Sequence, residues 1–260
     1  MSTVHVRGID LYYEACGVGS TCLVVAHGAL GSVAHANSYG LRAADLATLG
    51  FRVVAYDARG HGRSGYTTRP EHYQPAALAD DLLALIDALG LERVCVYGAS
   101  MGASTALQLA LVHPERVSRL VLRAPSPFGV DIKAARARLH PLASMYRWLG
   151  SSVTASVAAT LTRRADRAAT KALLSGQRRQ AIPPAIRGFL SAPMDSDGLA
   201  SVATPSLILT HPDDPLHPLR SGEILRLRLP CAKLLVAPSR SYWDQNREQL
   251  MQVVASWLRE

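Results

Sequence analysis

Residues 94–104 read VCVYGASMGAS. A β-prone run enters Gly98-Ala99-Ser100-Met101-Gly102, and the helix-forming pattern ALQLALVH follows at once. This is the strand–turn–helix setting in which a G-x-S-x-G sequence holds a serine at the tip of a strained turn. The small residues are needed because strand and helix pass too close there for side chains. The turn predicts that Ser100 Oγ stands above the end of a sheet. It also aims a helix N-terminus, with its affinity for negative charge, at the same spot. The N–H of Met101 is the first candidate donor to an oxyanion developing there.

Outward from this turn the chain alternates between short apolar runs and helical patterns. TVHVRG and IDLYYEAC read as an antiparallel pair turned at Gly8. TCLVVAHG, FRVVAYD, RVCVYGAS, VSRLVLRAP, PSLILTH and AKLLVAP are continuous apolar runs of the kind found in parallel strands covered on both faces. The helical patterns between them include QPAALADDLLALIDALG, which puts Leu78, Leu82, Leu85 and Leu89 on one face. The fold class is therefore α/β, a doubly wound, mostly parallel sheet of eight strands. Residues 131–200 break the rhythm with helical patterns and no strand, and the interval is too long for an ordinary connection. They are expected to form a helical cap inserted after the sixth strand, with 1–130 and 201–260 forming the core. Such sheets bind ligands at the carboxyl ends of their strands, where the cap would lie. Leu139, Leu142, Met145 and Trp148 are candidates to line a pocket there or to pack the cap down.

Composition narrows the function classes. At 260 residues, 48% hydrophobic and 18% charged, the chain is globular. No apolar run approaches a membrane span, and the N-terminus lacks a signal-peptide pattern, so a cytoplasmic location without membrane attachment is expected. Cys16, Cys22, Cys95 and Cys231 are scattered, with no metal-binding or disulfide spacing. No metal or organic cofactor is implied. The net charge of +8 comes almost wholly from arginine, the only lysines being Lys133, Lys171 and Lys233. It is spread along the chain and accompanies no nucleic-acid-binding motif, so no nucleic-acid partner is expected.

Two further motifs join the serine turn. In VVAHGALGS (24–32) the third strand ends at His27-Gly28, and the backbone N–H of Ala29 is the second candidate oxyanion donor. His27 is read as a brace for this loop. YDARGHGRSG (56–65) follows the fourth strand. With these three motifs the whole chain resembles the α/β-hydrolase superfamily, with the cap where that family inserts it. The combination HGALGS and GASMG is most similar to small carboxylesterases, lactonases, carbon–carbon-bond hydrolases and the menaquinone-pathway lyase. The resemblance implies that Asp57, Arg59 and His61 are scaffold.

The resemblance also implies an acid after the seventh strand in a G-x-x-D-x-x-x-P pattern. LILTHPDDPLHP (207–218) fits it with Asp214 as the acid and Pro218 as the proline, although His211 stands where the family has glycine. Asp213 is one residue short. The family's base is a histidine after the eighth strand, and here VAPSRSYWDQNREQL (236–250) contains none; no histidine occurs beyond His217. Ser239 and Ser241 cannot accept a proton near neutrality, Arg240 only donates, and Tyr242 titrates near ~10. The remaining substitutes are His217, three residues past Asp214, together with His211 and His140.

Three readings follow. The first is a serine hydrolase of a small ester, thioester, lactone or activated C–C bond, with Ser100, Asp214 and a relocated base such as His217. The second is a lyase, cyclase or isomerase that uses the oxyanion hole without a full triad. The third is a ligand-binding pseudoenzyme. Arg240, Tyr242 and Trp148 are candidate substrate contacts, with Arg240 suited to a carboxylate. The partner expected is a small molecule, anionic or carried on an acyl carrier. Arg136, Arg138, Arg147, Arg163, Arg164 and Arg167 invite the anionic reading, and a solvated helix face is the structural alternative. The oligomeric state is left open.

Overall fold

The apolar runs become the strands of one sheet in a computed structural model that describes residues 2–34, 41–125, 133–160, 167–191, 197–212, 214 and 216–260. The strands are β1 (Ser2–Val6), β2 (Ile9–Cys16), β3 (Cys22–Ala26), β4 (Arg52–Tyr56), β5 (Val94–Ala99), β6 (Val117–Arg123), β7 (Ser206–Thr210) and β8 (Ala232–Val236). The helices are α1 (Ala43–Thr48), α2 (Pro75–Ala88), α3 (Met101–Val112), α4 (Lys133–Thr160), α5 (Arg167–Ser175), α6 (Ile182–Ser191), α7 (Leu219–Arg228), α8 (Tyr242–Gln245) and α9 (Arg247–Arg259). The strand order is β1-β2-β4-β3-β5-β6-β7-β8. β1–β2 and β2–β4 are antiparallel, and every later pairing is parallel.

Side chains that alternate along a strand explain why the central runs are apolar throughout. In β5, Val94 and Val96 face a cluster with Leu78 and Leu82 of α2, Leu107 of α3 and Leu225 of α7. Cys95 and Tyr97 face the other way, into a cluster with Leu46 of α1, Trp243 of α8, and Leu250 and Val254 of α9. Both faces are thus buried, and the strand ends lie where helices begin. α2 starts with a proline at its first position, where the missing N–H costs nothing.

Among the described residues between β6 and β7 lie helices α4, α5 and α6 and a 3-10 turn, Asp197–Ser201. α4 is broken at Gly150, whose φ of 79° only glycine adopts easily. The insertion has its own apolar cluster, in which buried Tyr146 of α4 donates its hydroxyl to the Leu174 carbonyl at 2.6 Å. Leu30, from the loop after β3, is the core residue that enters this cluster beside Ile182, Ile186 and Leu190. α6 also presses onto the 3-10 turn Pro70–Tyr73.

That second contact is made at Gly188, where an added Cβ would lie 1.8 Å from the Pro70 carbonyl oxygen, a backbone atom that cannot swing aside. Gly188→Ala is therefore expected to destabilise the protein by about 1–3 kcal/mol, as overpacking typically does. It should also expose the insertion to limited proteolysis. A urea midpoint equal to the wild type's would contradict this.

Candidate functional site

The serine turn is as tight as its sequence requires. Ser100 has φ 51° and ψ −111°, a conformation that a non-glycine residue holds only when its surroundings impose it. Its N–H donates to the Arg123 carbonyl at 3.0 Å, and its own carbonyl accepts from Ala103. A Cβ on Gly102 would fall 2.1 Å from the Ala26 carbonyl oxygen, so glycine is what lets α3 start against β3. Ser100 is buried, with 8% of its surface exposed.

His217 meets this serine. Its Nε2 lies 2.8 Å from Ser100 Oγ and its Nδ1 lies 2.9 Å from Asp214 Oδ2. A carboxylate only accepts, so the proton of neutral His217 resides on Nδ1 and Nε2 is the acceptor for the Ser100 hydroxyl. Asp214 builds the turn that makes this possible, because its Oδ1 accepts the N–H groups of Leu216 at 2.9 Å and His217 at 3.2 Å. Burial alone would raise the Asp214 carboxyl. The bond of His217 and the charge its ring carries when protonated, the Leu216 N–H and the charge of Arg240 outweigh that and hold it well below the usual carboxylate range. The carboxylate is therefore ionised at any ordinary pH. The His217 side chain is only 12% exposed, which limits competition from water.

Of the two expected oxyanion donors, Met101 follows Ser100 directly and Ala29 borders the same narrow cavity as Met101. Met101 N–H is the first of α3 and has no acceptor within the helix. Among the described residues neither it nor the Ala29 N–H has a hydrogen-bond acceptor. Ala29 and Met101 line a narrow apolar cavity with Leu30, His61, Leu139, Ile182, Ala185, Ile186, Phe189 and Leu190, of about 10 Å³, room for one water-sized group. On the other side of Ala29 a polar cavity of about 140 Å³ is bordered by His217, Asp214, His211, Arg123, Arg240, Asp244 and Leu173.

Other sequence candidates are placed as follows. Arg240 stands at this polar cavity, but Tyr242 does not: its hydroxyl donates to Gln249 at 2.8 Å and its ring packs edge-on against Trp243. Trp148 is corrected too. It is 72% exposed with the Arg147 guanidinium over its ring, and it borders neither cavity, because it projects from the outer side of α4. Leu139 does line the apolar cavity, and Leu142 packs within the insertion. His140 is exposed, while buried His211 approaches Asp214 only to 3.7 Å and faces the Pro212 carbonyl. Asp213, Arg163, Arg164 and the side chain of Arg138 lie outside the described residues. Arg136 and Arg167 donate to the carbonyls of Leu190 and Thr160.

The neighbouring motifs act as braces. His27 accepts the Ala58 N–H on Nε2 and donates from Nδ1 to the Gly28 carbonyl, tying the loops after β3 and β4 together. Asp57 accepts the N–H groups of Val33 and Arg63, and Arg59 makes a buried two-bond pair with Asp81. Arg123 was missed by sequence reasoning. Its signal was a charge directly after the apolar run Leu120-Val121-Leu122, at the carboxyl end of the strand. Among the described residues no group of three or more His, Cys, Asp or Glu side chains could hold a metal ion, and no helix is long and apolar enough to cross a membrane.

Residues 21–252 match the family model described as alpha/beta hydrolase fold. The chain belongs to the α/β-hydrolase family. This α/β-hydrolase is 34% identical over 206 residues, 72% of each chain, to a Caulobacter sp. (strain K31) protein provisionally named carbamate hydrolase RutD. It is 25% identical over 252 residues, 91% of this chain and 86% of the other, to a 2-hydroxy-6-oxononadienedioate/2-hydroxy-6-oxononatrienedioate hydrolase of Dechloromonas aromatica (strain RCB). Its fold superposes on the enol-lactonase of Burkholderia xenovorans LB400 with a TM-score of 0.85, covering all of both chains at 22% identity. The relatives' names support a hydrolase function for this α/β-hydrolase.

The braces predict a pH dependence of stability. Burial lowers His27 to about 4 against the stabilising pull of the Gly28 carbonyl, and burial together with the charge of His27 lowers His61 to about 3. Both fold neutral. Stability is then complete above about pH 6.5 and is lost as pH falls towards 4, because the unfolded chain binds two protons that the folded one refuses. The limiting slope is about 2.7 kcal/mol per pH unit for two such groups. Asp57, raised chiefly by burial, opposes the loss near the acid end. Urea unfolding at pH 7.5, 6.0 and 5.0 should show a falling midpoint, and a flat profile would refute the assignment.

Proposed function

We propose that this protein is a serine hydrolase of small esters, thioesters, lactones or activated C–C bonds, in which His217 replaces the family's usual base. The observation that carries the reading is the pair of bonds on one imidazole, 2.8 Å to Ser100 Oγ and 2.9 Å to Asp214. Ser100 Oγ attacks the substrate's acyl carbon and passes its proton to His217 Nε2. The oxygen of the tetrahedral intermediate takes its charge between the N–H groups of Ala29 and Met101. His217 then returns the proton to the leaving group, and an acyl-serine remains. Water, deprotonated by His217 in the same way, releases the acid and restores Ser100. Asp214 holds the tautomer and balances the transient imidazolium.

The non-hydrolytic and pseudoenzyme readings both started from a serine without a base, and the contact with His217 favours the hydrolytic one. Residues 131–200 serve as the cap that closes the site. The narrow apolar cavity supports a short acyl group. Arg240, beside His217, supports an acidic group on the substrate; Arg123 borders the same cavity but is paired there with Asp244 at 3.2 Å. An acyl carrier gains no support from Arg136 and Arg147, whose guanidinium groups are engaged within the insertion.

Turnover of p-nitrophenyl acetate and labelling by a fluorophosphonate test the chemistry. Ser100→Ala should abolish both. His217→Ala should lower kcat by at least about 10³-fold and Asp214→Asn by about 10⁴-fold, the scale of such losses in serine triads. Hydrolysis unchanged in His217→Ala would remove the relocated base. Acetyl esters should be preferred to octanoyl esters, and the opposite order would reject the short-acyl assignment.

A further inference from the structure

Gln177 follows α5, far in sequence from every residue of the triad, and is only 4% exposed. Its Nε2 donates to the Leu30 carbonyl at 2.5 Å and to the Leu173 carbonyl at 3.1 Å. Both neighbours are acceptors, so only the nitrogen end of the amide can face them. Leu30 is the residue after Ala29, and it has φ 66°, a conformation bulky residues rarely hold. Such a backbone persists only while its surroundings impose it. Here two elements of the insertion impose it: Gln177 on the carbonyl, and the cluster of Tyr146, Ile182 and Ile186 on the side chain. The Leu30 carbonyl shares one planar peptide unit with the Gly31 N–H, which donates at 2.9 Å to the Gly28 carbonyl; that carbonyl, also held by His27, shares its own planar unit with the Ala29 N–H.

We infer that Gln177 is a positioning residue for the oxyanion hole: by holding the Leu30 carbonyl it holds the Leu30–Gly31 peptide, whose N–H in turn holds the Gly28 carbonyl and so the direction of the Ala29 N–H. The inference rests on the proposed role of Ala29 as an oxyanion donor and goes beyond it. It makes chemistry conditional on the seating of the insertion. When the helices lift away, Leu30 loses both restraints, its backbone relaxes, and the donor turns from Ser100. Binding of substrate to the remaining surfaces does not need that donor; the transition state does.

The test compares wild type, Gln177→Met and Leu30→Gly on p-nitrophenyl acetate, with affinity for a phenylboronic acid, whose adduct with Ser100 places an oxygen in the hole. Gln177→Met should lower kcat by about 10- to 100-fold, approaching the loss of one oxyanion donor, with little change in KM. Boronic-acid affinity should fall in parallel. Leu30→Gly keeps φ 66° accessible but loses the side-chain restraint, so it should show the same kcat-selective loss. The double variant should lose less than the sum of the two effects, because both act on one backbone unit. If Gln177→Met does not fold, the Leu30→Gly comparison decides alone. Variants whose kcat and boronic-acid affinity stay within about twofold of wild type, or whose KM rises with kcat unchanged, overturn the inference. A wild-type protein inert to both ester and fluorophosphonate overturns the hydrolase reading and this inference with it.

Discussion

One imidazole ring bonded at both ends sets the demands that the rest of the site meets. His217 reaches Ser100 only because the serine is lifted above the sheet by a strained turn, and that turn exists only because α3 can approach β3 at Gly102. It reaches Asp214 because the same carboxylate closes the turn on which the ring is carried. Each contact is local to a strand end, and the parallel register of β5, β6 and β7 brings those ends together. The sheet is thus less a container for the site than the ruler that spaces it.

Around this line the polar residues of the loops serve geometry. His27, Asp57 and the Arg59–Asp81 pair are buried and spend their hydrogen bonds on neighbouring backbone or on each other. Buried groups of this kind are costly unless fully paired, and when paired they make loops behave as rigid pieces. The loop bearing Ala29 is rigid on its His27 side through the core. On its Leu30 side it depends on the insertion.

Much of the fold was legible because each strand had its own apolar run and each helix its own face. The serine turn was legible because tight passage of strand and helix leaves glycines at fixed spacing. The partner of that serine was harder to read. His217 appeared among several substitutes because a histidine three residues from an aspartate carries no periodic signal; the Asx turn that joins them appears only in three dimensions. Trp148 misled for the opposite reason. A large aromatic in a helical pattern suggests burial, yet the break at Gly150 and the packing of Tyr146 leave Trp148 outside. Gln177 had no signal at all, since a lone glutamine past a helix end is ordinary until its amide is found between two carbonyls.

In the proposed mechanism acid and base share a single short loop, where the more usual arrangement of the family spreads them over two. Their separation is then fixed by the covalent path from Asp214 to His217 and by the Oδ1 bonds that close it, whatever β8 and the C-terminal helices do. Under that mechanism the segment from Pro238 onward has no part in proton transfer and is left with packing, through Trp243 and Leu250, and with the charge of Arg240 at the cavity. In a lineage of such proteins that segment is free to drift in sequence and in length, and to acquire new recognition, while the reacting atoms keep their spacing.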